Sequence, residues 1–318
     1  MTYDVVTLGE AMLRLWVPPG ESLEDAPSLR VSVAGAEANV AAAGARMGLA
    51  TAWISRLPAS PLGRRAAGAL RALGVDVSYV TWDPTRRMGT YYVELSAPPR
   101  PIHVIYDRAS SAASAMTVDH VPWDVVTSSR SLHLSGITPA LSPTCREVST
   151  RAVTMAREAG VLVSIDVNYR ARLWDVAEAA AVVGELCRDA DLVIVTAEDA
   201  RDLWGVDGDV DTVLARLRER LEARRVVLTM GGDGAAWIDG ETSGAAPGLT
   251  TSAIDRIGAG DAFAAGVLVG VLGDDLSSGV AKGTAMAALT MGTYGDHFLG
   301  DPGEVDQLLS GHPRQVDR

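Results

Sequence analysis

The chain has 318 residues, with 28 Lys+Arg against 40 Asp+Glu, which gives a net charge of −12 at pH 7. Hydrophobic residues make up 47% and charged residues 21%, a balance typical of a folded globular protein that excludes disorder along the whole chain. The acidic excess argues against nucleic acid as a partner, because a basic surface is needed to neutralise phosphates.

Three further features predict a cytoplasmic protein without a membrane segment. The longest apolar run, 262–272, is too short to span a bilayer and contains two glycines. The first ten residues, MTYDVVTLGE, lack the basic and apolar regions of a signal peptide. The two cysteines, Cys145 and Cys187, suggest neither a disulfide framework nor a zinc site.

Short β-branched runs alternate with alanine-rich helical segments along most of the chain. In chain order we predict strand 5–8, helix 37–47, strand 52–55, helix 61–73, strand 131–134, helix 143–158, strand 162–166, helix 176–188, strand 192–196, helix 210–221, strand 226–229 and helices 259–272 and 276–291. The strands are nearly continuous apolar runs, as expected for parallel strands buried on both faces. This order predicts an α/β fold whose central, mostly parallel sheet carries helices on both faces.

Two segments, 11–34 and 86–110, interrupt this order. They contain MLRLWV, GTYYVEL and IHVIY, in which polar and apolar residues alternate more regularly. Such alternation suits an antiparallel sheet with one open face. We expect these segments to form a small β-sheet lid on the main body. Because no composition change marks a linker, 1–318 is predicted to form a single domain.

The most informative motif is DRIGAGD at 255–261, which leads directly into a predicted helix. Gly258 and Gly260 leave backbone N–H groups unobstructed at the helix start, where unpaired amides and the helix dipole favour an anion. Asp261 would lie in the first turn beside that anion. This arrangement suits phosphoryl transfer, in which the amides stabilise phosphoryl charge and the carboxylate accepts a proton from the attacking hydroxyl. A glycine-rich turn with an acidic residue at the helix dipole is the structural alternative.

Two other clusters follow predicted strands, whose carboxyl ends form the binding edge of open α/β sheets. The segment TMGGDG at 229–234 is one, although a plain hairpin turn explains it equally well. The segment DVNYR at 166–170 is the other. There, Asn168 could order phosphates or metal-bound water, and Arg170 could bind a carboxylate or phosphate through two N–H groups. Alternatively, its Asp and Asn side chains cap a turn.

The lid segments carry side chains that suit a polar, anionic ligand. Tyr91, Tyr106 and Arg108 lie on or beside the predicted lid strands, and Gly35 and Asn39 lie where the following helix begins. Single aromatic residues in strands usually serve packing, so these positions gain meaning only together with the other clusters. No GxxxxGK[ST] motif occurs, and no strand leads through GxGxxG into a helix.

Taken together, these residues resemble the ribokinase-like (PfkB) sugar kinases from residue 5 to about residue 301. The family signature D-T-x-G-A-G-D stands here as DRIGAGD. The stretches most similar to kinases of 2-keto-3-deoxygluconate are GAEANVA (35–41), LHLSGITPALSP (132–143), VSIDVNYR (163–170), GAGDAFAAG (258–266) and GDH (295–297). The resemblance implies a ribokinase-like fold and an ATP-dependent kinase that phosphorylates the terminal C6 hydroxyl of this sugar acid.

The resemblance also implies roles for individual residues. Asp261 matches the catalytic base, and the anion hole matches Gly258, Ala259 and Gly260. ATP would contact Asn168, Thr196, Thr229, Gly231, Gly234, Gly258 and Gly260. The sugar acid would contact Gly35, Asn39, Tyr91, Tyr106, Arg108, Ile137, Arg170 and Asp296, with its carboxylate held by Arg108 and Arg170. The resemblance further implies Mg²⁺ with ATP, admits a monovalent cation, and implies a homo-oligomer formed through the lid.

Several residues depart from the family pattern. Arg256 replaces a small residue or proline, and Thr196 and Asp199 occupy the positions of an N-x-x-E motif. Lys282, the single lysine, stands where many relatives have Asn near the adenine. Asp107 replaces a lid tyrosine, which leaves open a related kinase for fructose, keto-deoxygalactonate or a nucleoside. A non-catalytic sensor of sugar or nucleotide is the alternative from another class.

Overall fold

The structure, a computed structural model, describes residues 2–96, 99–249 and 251–311. Its strands are β1 (Val5–Leu8), β2 (Met12–Val17), β3 (Arg30–Ala34), β4 (Thr51–Pro58), β5 (Val80–Asp83), β6 (Gly89–Glu94), β7 (His103–Asp107), β8 (Ser131–Ser135), β9 (Leu162–Asp166), β10 (Leu192–Thr196), β11 (Arg225–Thr229), β12 (Gly234–Asp239) and β13 (Thr242–Pro247). Its helices are α1 (Ala36–Arg46), α2 (Pro61–Ala72), α3 (Trp123–Thr127), α4 (Ile137–Ala140), α5 (Pro143–Glu158), α6 (Val176–Arg188), α7 (Ala197–Trp204), α8 (Val210–Leu221), α9 (Ala259–Val271), α10 (Leu276–Met291) and α11 (Pro302–Leu309).

The larger sheet has nine strands in the order β13-β12-β11-β10-β9-β8-β1-β4-β5. All neighbours from β11 to β5 are parallel, whereas β12 and β13 extend the sheet as antiparallel strands. The predicted α/β fold with a mostly parallel sheet is therefore confirmed. The predicted elements are also confirmed, with a largest difference of three residues at the end of β4.

Side chains along the central strands alternate between two hydrophobic clusters. Val193 and Val195 of β10 belong to the cluster that includes residues of α5, α6 and α8. Leu192 and Ile194 belong to the cluster that includes residues of α9 and α10. Both faces of the strand are therefore covered, which explains why its sequence is apolar without alternation.

His133 of β8 is also buried, and its Nδ1 lies 3.1 Å from Ser164 Oγ, so the structure places this histidine in the core.

The lid is a four-stranded sheet in the order β3-β2-β6-β7, within the two segments predicted for it. The outer pairs are antiparallel, but the central strands β2 and β6 are parallel. The prediction of a wholly antiparallel sheet is wrong at this central pair. The reason is the connection: between β2 and β6 the chain returns to the main body and forms α1, β4, α2 and β5 instead of a hairpin.

No helix within 2–96, 99–249 and 251–311 combines the length and hydropathy needed to cross a bilayer.

Candidate active site

The lid, the carboxyl ends of the parallel strands and the start of α9 surround a cavity of about 410 Å³. We call it the lid cavity; its walls include Glu10 after β1, Asp166 at the end of β9 and Asp261 in α9. A second cavity of about 520 Å³, the glycine cavity, lies beside it and is lined by glycines that include Gly231 and Gly234. Four residues line both cavities: Thr229, Arg256, Gly260 and Phe263.

Every site residue predicted from the sequence lines one of these two cavities. The lid cavity is lined by Gly35, Asn39, Tyr91, Tyr106, Arg108, Ile137, Asn168, Arg170, Thr196, Gly258, Asp261 and Asp296, together with Thr229 and Gly260. The glycine cavity is lined by Gly231, Gly234 and Ala259, again with Thr229 and Gly260. The structure thus brings residues from distant parts of the chain together, while their individual roles stay predictions. Lys282 is absent from the described walls of both cavities.

The turn before α9 depends on glycine at position 258. Gly258 is the N-cap residue with a φ of 88°, in the left-handed region that favours glycine. A Cβ atom there would stand 2.1 Å from the backbone carbonyl oxygen of Asp296. The first amides of a helix have no acceptor within it, so this turn presents N–H groups at the junction of the cavities. Arg256 is exposed at the same junction and forms no ion pair within the described residues.

Asp261 lies in the first turn of α9 and is half-buried in the lid cavity. Burial raises the pKa of Asp261 to about 8, and the carboxylates of Asp166 and Asp296 act in the same direction. Two groups favour the ionised form: Asn39, whose Nδ2 lies 2.6 Å from Asp261 Oδ2, and the nearby Arg170. Asp261 is therefore a carboxylate that can take up a proton near neutral pH.

A second group of acidic side chains lies at the ends of β9 and β10. Burial raises the pKa of Asp166 to about 7 and also raises that of Asp199. Asn168 has a φ of 41°, and its Nδ2 donates to Asp166 Oδ2 at 3.2 Å. Its Oδ1 is buried and accepts no hydrogen bond within the described chain. Thr196 caps α7 and accepts from the Asp199 amide at 2.9 Å.

The two arginines predicted to bind a carboxylate have different surroundings. Arg108 is paired with Glu10, whose Oε2 lies 2.8 Å from Arg108 Nε and 2.6 Å from Nη2. Arg170 is exposed, donates to the backbone oxygen of Tyr169 at 3.0 Å and forms no ion pair with any residue that the structure describes. Glu10 thus already neutralises Arg108, whereas Arg170 has no paired carboxylate among the described residues, and the binding of a substrate carboxylate by either arginine stays a prediction.

On the lid side, Tyr91 and Asp296 belong to one buried network. The hydroxyl of Tyr91 donates to Asp296 Oδ2 at 2.6 Å, and Tyr106 stacks on the Tyr91 ring with centroids 5.6 Å apart. Asp296 Oδ1 also accepts from Arg14 Nη1 at 2.7 Å.

Ile137, at the start of α4, is half-buried, and its amide donates to Ser135 Oγ at 3.2 Å.

Sequence reasoning missed three charged residues of this region. Glu10 lines the lid cavity directly after β1, and its place at the carboxyl end of a buried strand was a usable signal. Glu37 also lines it, and its buried carboxylate accepts from Ser135 and Thr138 side chains at 2.7 Å each. Arg14 interrupts the apolar run MLRLWV. A charged residue in such a run indicates a buried ion pair, but the sequence does not show which residue is its partner.

The chain as a whole matches known proteins. Residues 2–300 match the family described as pfkB family carbohydrate kinase. The chain belongs to this family. A 2-dehydro-3-deoxygalactonokinase of Haloferax volcanii is 40% identical over 100% of both chains. A 2-dehydro-3-deoxygluconokinase of Bacillus subtilis is 31% identical, covering 93% of this chain and 92% of that protein, and fructokinase-1 of Zea mays is 33% identical over 86% and 84%.

Solved structures agree with the family assignment. The 2-dehydro-3-deoxygluconokinase of Thermotoga maritima has a TM-score of 0.90 at 32% identity, covering 98% of this chain and 99% of that one. An uncharacterized sugar kinase from Pyrococcus horikoshii in complex with ATP has a TM-score of 0.81 at 25% identity, over 96% and 97%. A putative ribokinase II from E. coli, solved with ATP and Mg²⁺, has a TM-score of 0.89 over 98% and 100% but is 19% identical, which shows the fold alone. The ribokinase-like fold and a carbohydrate kinase are thereby confirmed.

Proposed function

We propose that this carbohydrate kinase transfers the γ-phosphoryl group of ATP to the terminal hydroxyl of a 2-keto-3-deoxy (2-dehydro-3-deoxy) sugar acid. The candidates are 2-keto-3-deoxygluconate, predicted from the sequence motifs, and its C4 epimer 2-keto-3-deoxygalactonate, the substrate named for the relative at 40% identity. The observation that carries the proposal is the position of Asp261 and the α9 amides, at the junction between a charged cavity and a glycine-lined one.

The glycine cavity suits the nucleotide. Its walls are mostly small or apolar, with Ala287, Ala288 and Met291 available to pack against a base. Gly234 has a φ of 99°, and a Cβ atom there would stand 2.2 Å from the Ala246 carbonyl oxygen, so this close turn requires glycine. A nucleotide in this cavity would direct its phosphates toward Gly260 and the start of α9, where helix amides favour anions.

Asp261 would act as the general base. With the terminal hydroxyl of the sugar beside it, its carboxylate removes the proton as the hydroxyl oxygen attacks the γ-phosphorus. The amides around Gly258 and Gly260 offset charge on the transferring group. Asn39 holds the carboxylate through its 2.6 Å hydrogen bond and favours its ionised form. The lid covers this side of the site, which would exclude water as a competing acceptor.

The residues at the ends of β9 and β10 fit a Mg²⁺ ion that is shared with ATP. No three His, Cys, Asp or Glu side chains converge as a metal site among the described residues. Asn168 nevertheless offers a buried oxygen without a partner, beside the carboxylates of Asp166 and Asp199. Mg²⁺ usually takes one or two protein carboxylates and completes its shell with waters and phosphate oxygens. When bound, it would neutralise phosphate charge, held by Asp166, Asn168 and Asp199 directly or through water.

Arg170 supports an acidic substrate. It lines the lid cavity, is exposed to it and forms no ion pair with the described chain. Of the three arginines on this cavity, Arg108 is neutralised by Glu10 and Arg256 lies at the junction with the glycine cavity. Arg170 is therefore the arginine we assign to the substrate carboxylate.

The proposal is tested by comparing Arg170→Ala with Arg201→Ala, an exposed arginine that lines neither cavity. Loss of a hydrogen bond between charged groups costs about 1.5–3 kcal/mol, so Arg170→Ala should raise KM for the keto-deoxy acid about 10- to 100-fold. KM for ATP should not change, and Arg201→Ala should match the unaltered protein. An unchanged KM for the acid in Arg170→Ala would contradict the carboxylate assignment.

One observation favours a second candidate, a kinase for a neutral sugar such as fructose. Glu10 neutralises Arg108, so the lid cavity has less positive charge available than the sequence predicts. If fructose is the substrate, Arg170→Ala should leave its KM unchanged. The same pair of variants, assayed with fructose and with both keto-deoxy acids, therefore separates the two candidates.

A further inference from the structure

Arg14 belongs to the lid strand β2, yet its guanidinium is buried between two carboxylates beside α9. Its Nη2 lies 2.5 Å from Asp255 Oδ2 and its Nη1 lies 2.7 Å from Asp296 Oδ1. The side chain is 0% exposed, and Arg14 lines neither the lid cavity nor the glycine cavity. Arg14 therefore cannot touch a substrate in either cavity, and any effect on catalysis must act through its two partners.

Both partners hold the turn that presents the anion-binding amides. Asp255 Oδ1 accepts from the amide of Ile257 at 3.1 Å, directly before Gly258. Asp255 Oδ2 also accepts from the Gly295 amide at 3.2 Å, which ties the turn to the segment that contains Asp296. The backbone of Asp296 packs against Gly258 so closely that no side chain fits between them. One guanidinium thus bridges the two carboxylates that fix this turn from opposite sides.

The same network reaches back into the lid. Asp296 Oδ2 accepts from the hydroxyl of Tyr91 on β6, a residue that lines the lid cavity. Without Arg14, the carboxylates of Asp255 and Asp296 would be buried together with no cation between them, a situation that is strongly unfavourable. Their repulsion would separate the segments on either side of Gly258 and move the amides away from the phosphoryl position.

We propose that Arg14 is a positioning residue for phosphoryl transfer, which holds the anion-binding turn 255–258 in place through Asp255 and Asp296. This inference rests on the proposed function, because it takes the amides of that turn as the phosphoryl site. Arg14 would contribute to kcat, since the turn acts on the transferring group. KM for ATP would change little, because neither Arg14 nor its two partners line the glycine cavity, whereas KM for the sugar acid can rise through Tyr91 and Asp296, which line the lid cavity.

The experiment compares Arg14→Met with Arg56→Met. Arg56 also pairs with a buried carboxylate, Asp83, at 2.7 Å, and it lines neither cavity, so its removal reproduces the loss of a buried ion pair elsewhere. We expect Arg14→Met to lower kcat about 10²-fold, as removal of a preorganised anion-binding donor does. Arg56→Met should lower the melting temperature while keeping kcat. Arg14→Lys, which keeps the charge but not the two-sided geometry, should have an intermediate kcat.

A second measurement, ATP hydrolysis without sugar, separates positioning of the turn from closure of the lid. If Arg14 positions the turn, transfer to water should fall together with transfer to sugar, since both use the same amides. A rise in hydrolysis would mean that Arg14 only keeps water out, and would overturn the proposal. It would also be overturned if Arg14→Met retained kcat, or if Arg56→Met lost as much kcat at an equal loss of melting temperature.

Two controls keep the outcome decisive. Should Arg14→Met fail to fold, Arg14→Lys carries the test alone, and an unaltered kcat in that variant would refute the positioning role. If the unaltered chain phosphorylates neither keto-deoxy acid, the proposed function fails. If it is active and Arg14→Met is equally active, only the role of Arg14 fails.

Discussion

The two cavities that meet at α9 are built in opposite ways. The lid cavity is lined by six carboxylates and three arginines from separate segments of the chain: Glu10, Glu37, Asp166, Asp199, Asp261, Asp296, Arg108, Arg170 and Arg256. Among the described walls of the glycine cavity, Arg256 is the one charged side chain. Charged side chains therefore form much of the wall of the lid cavity, whereas small residues and exposed backbone form that of the glycine cavity.

This difference explains the properties of Asp261. Burial in the lid cavity raises its pKa to about 8, and the carboxylates of Asp166 and Asp296 act in the same direction, so Asp261 can exchange a proton near neutral pH. The walls of the glycine cavity hold no carboxylate that could add to this effect. Conversely, glycine at the turn lets a phosphate approach the backbone closely, which charged side chains would obstruct.

The largest expected loss of kcat comes from removing Asp261, the proposed general base in the lid cavity. Asp261→Asn should lower kcat about 10²- to 10⁴-fold, the usual contribution of a general base. Asp274→Asn is the matched control, since Asp274 is exposed just beyond α9 with a φ of 60°, which Asn also tolerates. Steady-state assays of both variants measure this loss of kcat. Full activity in Asp261→Asn would contradict the role of Asp261 as general base.

A smaller loss of kcat is expected from distorting the turn at Gly258, where the lid cavity and the glycine cavity meet. Gly258→Ala places a Cβ atom 2.1 Å from the Asp296 carbonyl oxygen at a φ of 88°, so the turn must shift. Its kcat should fall about 10²-fold, as when an anion-hole donor is lost. Gly68→Ala, in the middle of α2 with open space around it, should instead be stabilised by about 0.5–1 kcal/mol. Equal kcat values in the two variants would contradict the role of the turn.

The nucleotide side can be perturbed alone. Ala288 is buried and lines only the glycine cavity, so Ala288→Phe should occupy part of the space assigned to the base. We expect KM for ATP to rise about tenfold, the order of effect of a changed pocket volume, while KM for the sugar stays constant. Separate titrations of ATP and sugar provide the measurement. A rise confined to the sugar KM would reverse our assignment of the two cavities.

The smallest expected change is a shift in pH dependence. In the proposed mechanism the ionised form of Asp261 is the active one, so kcat/KM should rise with pH and level off above about 8. Asn39→Ala removes the N–H group that favours the ionised form, so the midpoint should move to higher pH. The profile of kcat/KM against pH for both proteins tests this. A midpoint that moves to lower pH in Asn39→Ala would contradict the role of its hydrogen bond.

Local signals predicted much of this molecule. The strand 192–196 was predicted at its observed ends because both of its faces are buried, and that burial is visible as an unbroken apolar run. The turn before α9 was predicted because its glycines and its carboxylate are adjacent in sequence. The lid was located for a similar reason, since its strands alternate in polarity.

Pairings between distant residues were not predictable in the same way. Glu10 and Arg108 are 98 residues apart, and Asn39 and Asp261 are 222 apart, so no local pattern reveals that they meet. The parallel pairing of β2 with β6 is likewise set by the path of the chain between them. For this reason the sequence identified some charged residues of the lid cavity, such as Arg108, Arg170 and Asp261, but missed Glu10 and Glu37 and could not show which charges are already neutralised.

The most direct test of the proposed function is the rate of ADP formation with Mg²⁺ and ATP against a panel of acceptors. The panel contains 2-keto-3-deoxygluconate, 2-keto-3-deoxygalactonate, fructose, ribose and adenosine. We predict saturable turnover with one or both keto-deoxy acids, at a kcat/KM well above that of every neutral acceptor. A kcat/KM for fructose, ribose or adenosine that equals or exceeds that of both acids, or no turnover of either acid, would contradict the proposal.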